Sequence, residues 1–213
     1  MGTTDEVLET VEDGKEKFIF ADITRVGKDG KNRSWERVLV KDILSWKTRM
    51  TELESLHCYA TIQRFANEVH TVGEPYISPL YFDLDADDLQ DSLCDARKLK
   101  DYLYVGLEIE EGVEFFFSGN RGFHITINAK LCGFDASNDL SRICKYMAVN
   151  IAEKLSLDTM DAAVYSKRRM WRMNNSRHGK TGLWKIQLTP SELGTLSVND
   201  ILTLAQQPRD IDI

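Results

Sequence analysis

From Leu80 to Leu84 the chain is apolar and aromatic, with Pro79 before it and the acidic cluster Asp85 to Asp88 after it. That pattern predicts a buried strand running out into solvent. Leu89, Leu93, Ala96, Leu99, Leu103 and Leu107 follow at three- and four-residue steps, predicting an amphipathic helix. Val113 to Phe117 and Phe123 to Asn128 read as strands. Ser137 is placed to cap a second helix with the stripe Leu140, Ile143, Met147, Ile151 and Leu155. Val164 to Tyr165 and Trp184 to Leu188 are further strand candidates, and Ser197 caps a short helix through Leu204.

The N-terminal part is patterned less sharply. Lys17 to Thr24 and Glu36 to Val40 flank the turn-like stretch Gly27 to Lys31, which suggests a hairpin. Ile43 to Ser55 reads as a helix and Cys58 to Phe65 as a strand, whereas residues 1–14 carry five acids and predict a flexible, acidic N-terminus. Strands interleaved with helices, some joined too tightly to be crossovers, predict an α+β chain: a mixed sheet with helices packed on it.

The composition, 42% hydrophobic against 29% charged over 213 residues, suits one domain or two lobes sharing a cleft. No apolar run approaches the roughly 18 residues of a membrane span, and the acidic start does not resemble a signal peptide. Gly2 invites myristoylation, but Glu6 stands where Ser or Thr is needed. A soluble, intracellular protein without membrane partners is expected. Cys58, Cys94, Cys132 and Cys144 form no CxxC pair, so reduced thiols and no zinc module are expected.

A net charge of −7 argues against nonspecific coating of nucleic acid. The average conceals a contrast, however. Between Asp161 and Lys185 lie seven basic residues and a single acid, with Tyr165, Trp171 and Trp184 interleaved. A solvated face would give the same run. Its contrast with the acidic remainder, and the donor-rich turn segment Asn174 to Gly182, favour an anion-binding role.

Three segments carry candidate chemistry. Asp83 and Asp85 occupy positions i and i+2 of the predicted strand and share a face. Paired carboxylates repel unless a divalent cation lies between them, and oxygen-only ligands suit Mg²⁺ or Mn²⁺. A solvated rim or a calcium-like cluster with Asp87 and Asp88 would look similar. In Ser118-Gly119-Asn120-Arg121-Gly122-Phe123-His124, the glycines let backbone N–H groups approach an anion and Arg121 offers a planar fork for phosphate oxygens. His124 then falls on the polar face of the next strand. A third carboxylate, Asp161 or its competitor Asp158, precedes the basic segment. Together these parts suit nucleotidyl transfer.

In this order the segments resemble the archaeo-eukaryotic primase superfamily, the primase-polymerases. The hhhDhD strand is Leu80 to Asp85, the SGxxGxH turn is Ser118 to His124, and the S-x-H-x-K-T-G pattern is Ser176 to Gly182. The resemblance implies an α+β, mixed-sheet primase-polymerase core in which an RRM-like lobe, about residues 76–213, faces a second α/β lobe, about residues 15–75, across a cleft. It selects Asp161 over Asp158, because Met160-Asp161-Ala162-Ala163-Val164 matches the family's pattern better. It implies that Asp83, Asp85 and Asp161 are catalytic and bind two Mg²⁺ or Mn²⁺ ions. Ser118, Arg121 and His124 would then hold the incoming triphosphate, with Arg172, Ser176, His178 and Lys180 on its other side.

The implied activity is template-dependent synthesis of primers, or extension of DNA, from NTPs or dNTPs by two-metal phosphoryl transfer. The implied partners are single-stranded DNA or primer-template, with a helicase or accessory primase region in support. The implied location is the cytoplasm, the nucleoid or a site of viral or plasmid replication. Trp171, Trp184 or Tyr165 could stack a template base, although the apolar alternation around Trp184 favours a core role. The competing reading is a noncatalytic nucleotide- or nucleic-acid-binding module of a replication complex. A rolling-circle nuclease is disfavoured by the absence of any HxH among His57, His70, His124 and His178.

Overall fold

The computed structural model describes residues 17–26, 32–52 and 57–209; the acidic N-terminus predicted over residues 1–14 lies outside them. The expected hairpin is present, with β1 (Phe20–Val26) antiparallel to β2 (Asn32–Leu39). The helix α1 (Ile43–Glu52) buries Trp46 in a small core with Ile23 and Cys58. The strand expected over Cys58 to Phe65 is split into β3 (His57–Thr61) and β4 (Arg64–Phe65). It breaks because the Thr61 hydroxyl donates to the Gln63 carbonyl and the Arg64 guanidinium folds back onto the Thr61 and Ile62 carbonyls. β5 (Tyr76–Ile77) extends this sheet at one end and β9 (Met170–Arg172) at the other, in the order β5-β4-β1-β3-β9 with β2 also on β1. The sheet thus draws on residues from both sides of the lobe boundary predicted near residue 75.

The second sheet holds β6 (Leu80–Asp85), β7 (Val113–Phe117), β8 (Gly122–Ile127) and β10 (Ile186–Leu188), in the order β10-β7-β8-β6. β6 and β7 run parallel, joined through α2 (Leu89–Asp101), and β8 lies antiparallel between them as a split βαβ unit. Every described strand pair is antiparallel, so the sheets are not of mixed direction as expected; the inserted β8 keeps the two parallel strands apart. Thr159 to Asp161 docks on the free edge of β6: Asp85 N–H donates to the Thr159 carbonyl at 2.9 Å and Asp161 N–H to the Asp83 carbonyl at 2.8 Å. With that edge included, the order β7-β8-β6-(159–161) is that of an RRM-like sheet, and β10 is an addition beside β7.

Alternation divides this sheet. Phe82, Leu84, Phe115, Phe117, Phe123 and Ile125 are almost wholly buried, in one core with Leu93, Ala96 and Leu99 of α2 and Cys144, Ala148 and Ala152 of α3 (Leu140–Leu155). The opposite positions carry Asp83, Asp85, Phe116 and His124. The buried stripe of α3 differs from the one predicted. Small side chains at four-residue steps seat the helix closely, leaving Met147, Ile151 and Leu155 half-buried flankers and Ile143 exposed. Asp139 occupies its N-cap position, and the Ser137 hydroxyl accepts from the Asp139 N–H rather than capping the helix directly.

The periodicity through Leu107 overshoots α2, whose last turn widens to a π-turn over Tyr102–Gly106, closed by Leu107 N–H to the Tyr102 carbonyl at 3.0 Å; Leu107 is left exposed. Val164 belongs to a 3₁₀ turn, Ala162–Val164, rather than a strand, because the Asp161 carboxylate accepts from Ala163 N–H and turns the chain. Two capping boxes start the last helices: Thr189 with Glu192 on α4 (Pro190–Thr195), and Ser197 with Asp200 on α5 (Val198–Leu204), the latter as predicted. Among the described residues no helix is long and apolar enough to cross a membrane.

Candidate active site

β6 and β8 bring the first two motifs together by register. Asp83 lies opposite His124, and Asp85 opposite Gly122. The pairing requires glycine at 122, since a Cβ there would stand 2.0 Å from the Leu84 carbonyl oxygen. Asp83 is largely buried, and its carboxyl is pushed up to about 6, chiefly by desolvation; Arg169 opposes the rise, while the charges of Asp85 and Asp161 add to it. Asp158, the competitor of Asp161, is exposed and lines a cleft of about 620 Å³ beside α2 with Asp91 and Lys98.

The Ser118 to His124 turn is tight. Ser118 N–H donates to the Gly122 carbonyl at 2.9 Å, and Gly119 adopts a left-handed φ of 85° against the backbone of residues 183–185. Arg121 spans Asp85, at 2.8 Å, and Asp87. His124 is buried, its Nε2 accepting from the Trp171 indole N–H at 2.6 Å and lying 3.7 Å from Asp83 Oδ1. Burial, then Lys185, Arg172 and Arg169, hold His124 well below the usual imidazole range, so it is neutral. Its Nδ1 is buried and has no hydrogen-bond partner among the described residues.

The basic segment returns as a hairpin. Arg177 bridges to Trp184, and Lys185 N–H donates to the Ser176 carbonyl at 3.0 Å. The Thr181 hydroxyl donates to the Gly119 carbonyl at 2.6 Å, joining the last motif to the glycine turn. His178 Nδ1 accepts from the Lys180 and Thr181 N–H groups, and burial with the nearby Arg172 pulls its pKa down to about 4. Lys180 is exposed. Ser176, an expected phosphate contact, is buried, and its hydroxyl donates to the Cys58 carbonyl at 3.3 Å, bracing β3. Upstream, Arg168 takes a left-handed φ of 60° and pairs with buried Asp22 at 2.7 Å, which fixes the path of the tract into β9.

Three residues not singled out from sequence enter the site. His57 accepts from Arg172 at 3.0 Å, lies edge-on to His178 and sits over Gly179, where a Cβ would meet its Nε2 at 1.8 Å. Arg169 and Lys185 supply positive charge beside Asp83. The His57-Cys58 pair carries no local signal of this, whereas Arg169 and Lys185 were legible as members of the basic run. Trp171 and Tyr165 are committed to the interior: Tyr165 stacks on Tyr81 and Trp171 packs edge-on to it, while Trp184 is half-buried against the main core.

The acidic positions suit a divalent cation in donor chemistry and in backbone placement, because Asp83, Asp85 and Asp161 are held together at one strand and the latter two crowd Asp83 with like charge. Their side chains do not converge as expected: among the described residues no group of three His, Cys, Asp or Glu gathers closely enough to hold a metal. Arg121 draws Asp85 toward Asp87, and Asp161 is turned to cap the following 3₁₀ turn.

No family model and no curated protein matches the sequence. Among solved structures, the chain is similar to the polymerase domain of Mycobacterium tuberculosis ligase D in complex with DNA, with a TM-score of 0.59 at 18% identity over 88% of this chain and 81% of that one. The cyanophage S-2L primase-polymerase domain matches at 0.49 and 8% identity over 89% of this chain and 90% of that one. The catalytic domain of primase RepB′ with initiator DNA matches at 0.48 and 13% identity over 88% and 85%. These last two likenesses are too distant to carry weight. The chain shares the fold of the ligase D polymerase domain.

Proposed function

We propose that this chain is a template-dependent nucleotidyltransferase of the archaeo-eukaryotic primase superfamily, synthesising primers or extending DNA from NTPs or dNTPs. The observation that carries the reading is the shared frame of Asp83, Asp85 and Asp161 on the β6 edge, opposite the Ser118 to His124 turn and beside a basic hairpin stitched to it. The likeness to a polymerase domain found with DNA supports a DNA template.

Asp83, Asp85 and Asp161 would hold Mg²⁺ or Mn²⁺, which when bound would acidify the attacking hydroxyl and offset charge on the reacting oxygens. Arg121, released from Asp85 and Asp87, would turn its fork to the triphosphate, and the His124 Nδ1–H, without a partner among the described residues, would donate to a phosphate oxygen. Arg172, His178 and Lys180 would close on the other side, with His57 added to them. A 3′-hydroxyl would attack the α-phosphorus in line and expel pyrophosphate, with positioning and electrostatics supplying most of the acceleration.

The test is incorporation of labelled nucleotide on single-stranded DNA, with and without an annealed primer, in Mg²⁺ or Mn²⁺, beside an Asp83→Ala/Asp85→Ala variant. Product without primer, abolished in the variant, makes the chain a primase; product only with primer makes it an extending polymerase. Absence of product in all conditions, or product unaffected by the double substitution, refutes the proposed site.

A further inference from the structure

Lys185 is the one basic residue of the tract placed in the interior. It is 6% exposed, and its Nζ donates to the Arg172 carbonyl at 2.9 Å, 4.5 Å from the Phe116 ring centroid and 5.3 Å from that of Trp171. Phe116 lies opposite His124 on the neighbouring strand, and Arg172 and Trp171 belong to β9 of the other sheet. The ammonium therefore bridges the two sheets between the tryptophan that orients His124 and the backbone that carries Arg172. Its own backbone is fixed on both sides, with Lys185 N–H on the Ser176 carbonyl and Asn175 N–H on the Lys185 carbonyl at 2.8 Å.

Burying an ammonium is costly, and an apolar side chain would fill the space between two aromatic rings at lower cost. A lysine here is explained by what its charge and donors hold in place. We propose that Lys185 is a positioning residue for nucleotide binding, clamping β9 against the site face so that Arg172 and the Trp171–His124 pair meet the triphosphate in fixed register. This inference rests on the nucleotidyl-transfer reading. Lys185 acts through Arg172, Trp171 and His124. Burial pulls its ammonium down to about 7, opposed by Glu114, so a neighbouring anion would favour its charged form.

The test compares Lys185→Met with wild type in thermal melting, in KM and kcat for nucleotide, and in the NMR resonance of the Trp171 indole N–H, assigned through Trp171→Phe. The expected result is folded protein, a KM raised about tenfold, as for loss of a charge-assisted hydrogen bond, a smaller change in kcat, and a displaced indole resonance. Lys185→Arg, which keeps charge and donor, recovers part of the KM. An unchanged KM together with an unmoved indole resonance overturns the proposal. Failure of both Lys185→Met and Lys185→Gln to fold also overturns it, by making Lys185 a strut of the fold. If wild type uses no nucleotide the functional reading fails instead, while the indole resonance still reports whether Lys185 orients Trp171.

Discussion

Trp171 and His124, 47 residues apart and on different sheets, are joined by an indole N–H donating to Nε2 at 2.6 Å. The bond fixes the imidazole proton on Nδ1, the buried nitrogen that has no partner among the described residues. Trp171→Phe keeps most of the ring and removes the donor. It should cost about 1 kcal/mol of stability and weaken nucleotide use about tenfold, read from kcat/KM. His124→Ala and Arg121→Ala should weaken nucleotide use far more than DNA binding, measured by fluorescence anisotropy; equal loss of both would assign the turn to folding.

Acid stability should report the buried imidazoles. Folded His124 resists protonation well below 6.5 and His178 does so to about 4, whereas both take up a proton near 6.5 when unfolded. The unfolded state binds more protons below that pH, so these residues favour folding above about 6.5 and lose their contribution as pH falls. Melting temperatures measured from pH 7.5 to 5 should decline, and His124→Gln should flatten the decline. Asp83, raised to about 6, acts with opposite sign between its unfolded value near 3.8 and 6, so the comparison is cleanest in an Asp83→Asn background.

Asp83→Asn should separate stability from function. Removing a desolvated charge crowded by Asp85 and Asp161 should stabilise the protein at pH 7 by roughly 3 kcal/mol, since the folded carboxyl is raised to about 6 from an unfolded value near 3.8. The same change should abolish incorporation. Mg²⁺ or Mn²⁺ should raise the melting temperature of wild type but not of Asp83→Asn, and a metal shift of equal size in both would exclude Asp83 as a ligand.

Two glycines should respond differently to alanine. At Gly122 the added carbon meets the Leu84 backbone, so Gly122→Ala must part β8 from β6 and should cost several kcal/mol in chemical denaturation. At Gly179 its nearest neighbours are atoms of the His57 ring, a side chain that can rotate. Gly179→Ala should therefore melt near the wild-type temperature while raising KM for nucleotide.

Long periodic elements were legible in the sequence because burial imposes their spacing: β6, β7, β8 and α5 fall where alternation and caps put them, as does α2 up to its widened last turn. β9 was hidden, being three residues held by pairing with the distant β3 rather than by any pattern of its own. The docking of Thr159 to Asp161 was hidden for the same reason, since two edge hydrogen bonds leave no periodic trace. The stripe of α3 was misread because large apolar residues outweighed Cys144, Ala148 and Ala152, whose smallness brings the helix close. At the site, glycine spacing revealed the turn. The bond from the Ser176 hydroxyl to the Cys58 carbonyl left no trace, because a hydroxyl that braces β3 looks the same in sequence as one that binds phosphate. His57 escaped because its partners Arg172 and Gly179 lie more than a hundred residues away.

Asp161 hangs from the strand that bears Asp83, by its own N–H on the Asp83 carbonyl. The three acidic side chains are therefore mounted on one rigid bar, whatever the length of chain that leads from α3 back to its edge. Insertions or deletions between Leu155 and Thr159 should leave their spacing untouched. Opening of the two sheets to admit a template would separate Arg172 from the carboxylates without disturbing the carboxylates among themselves.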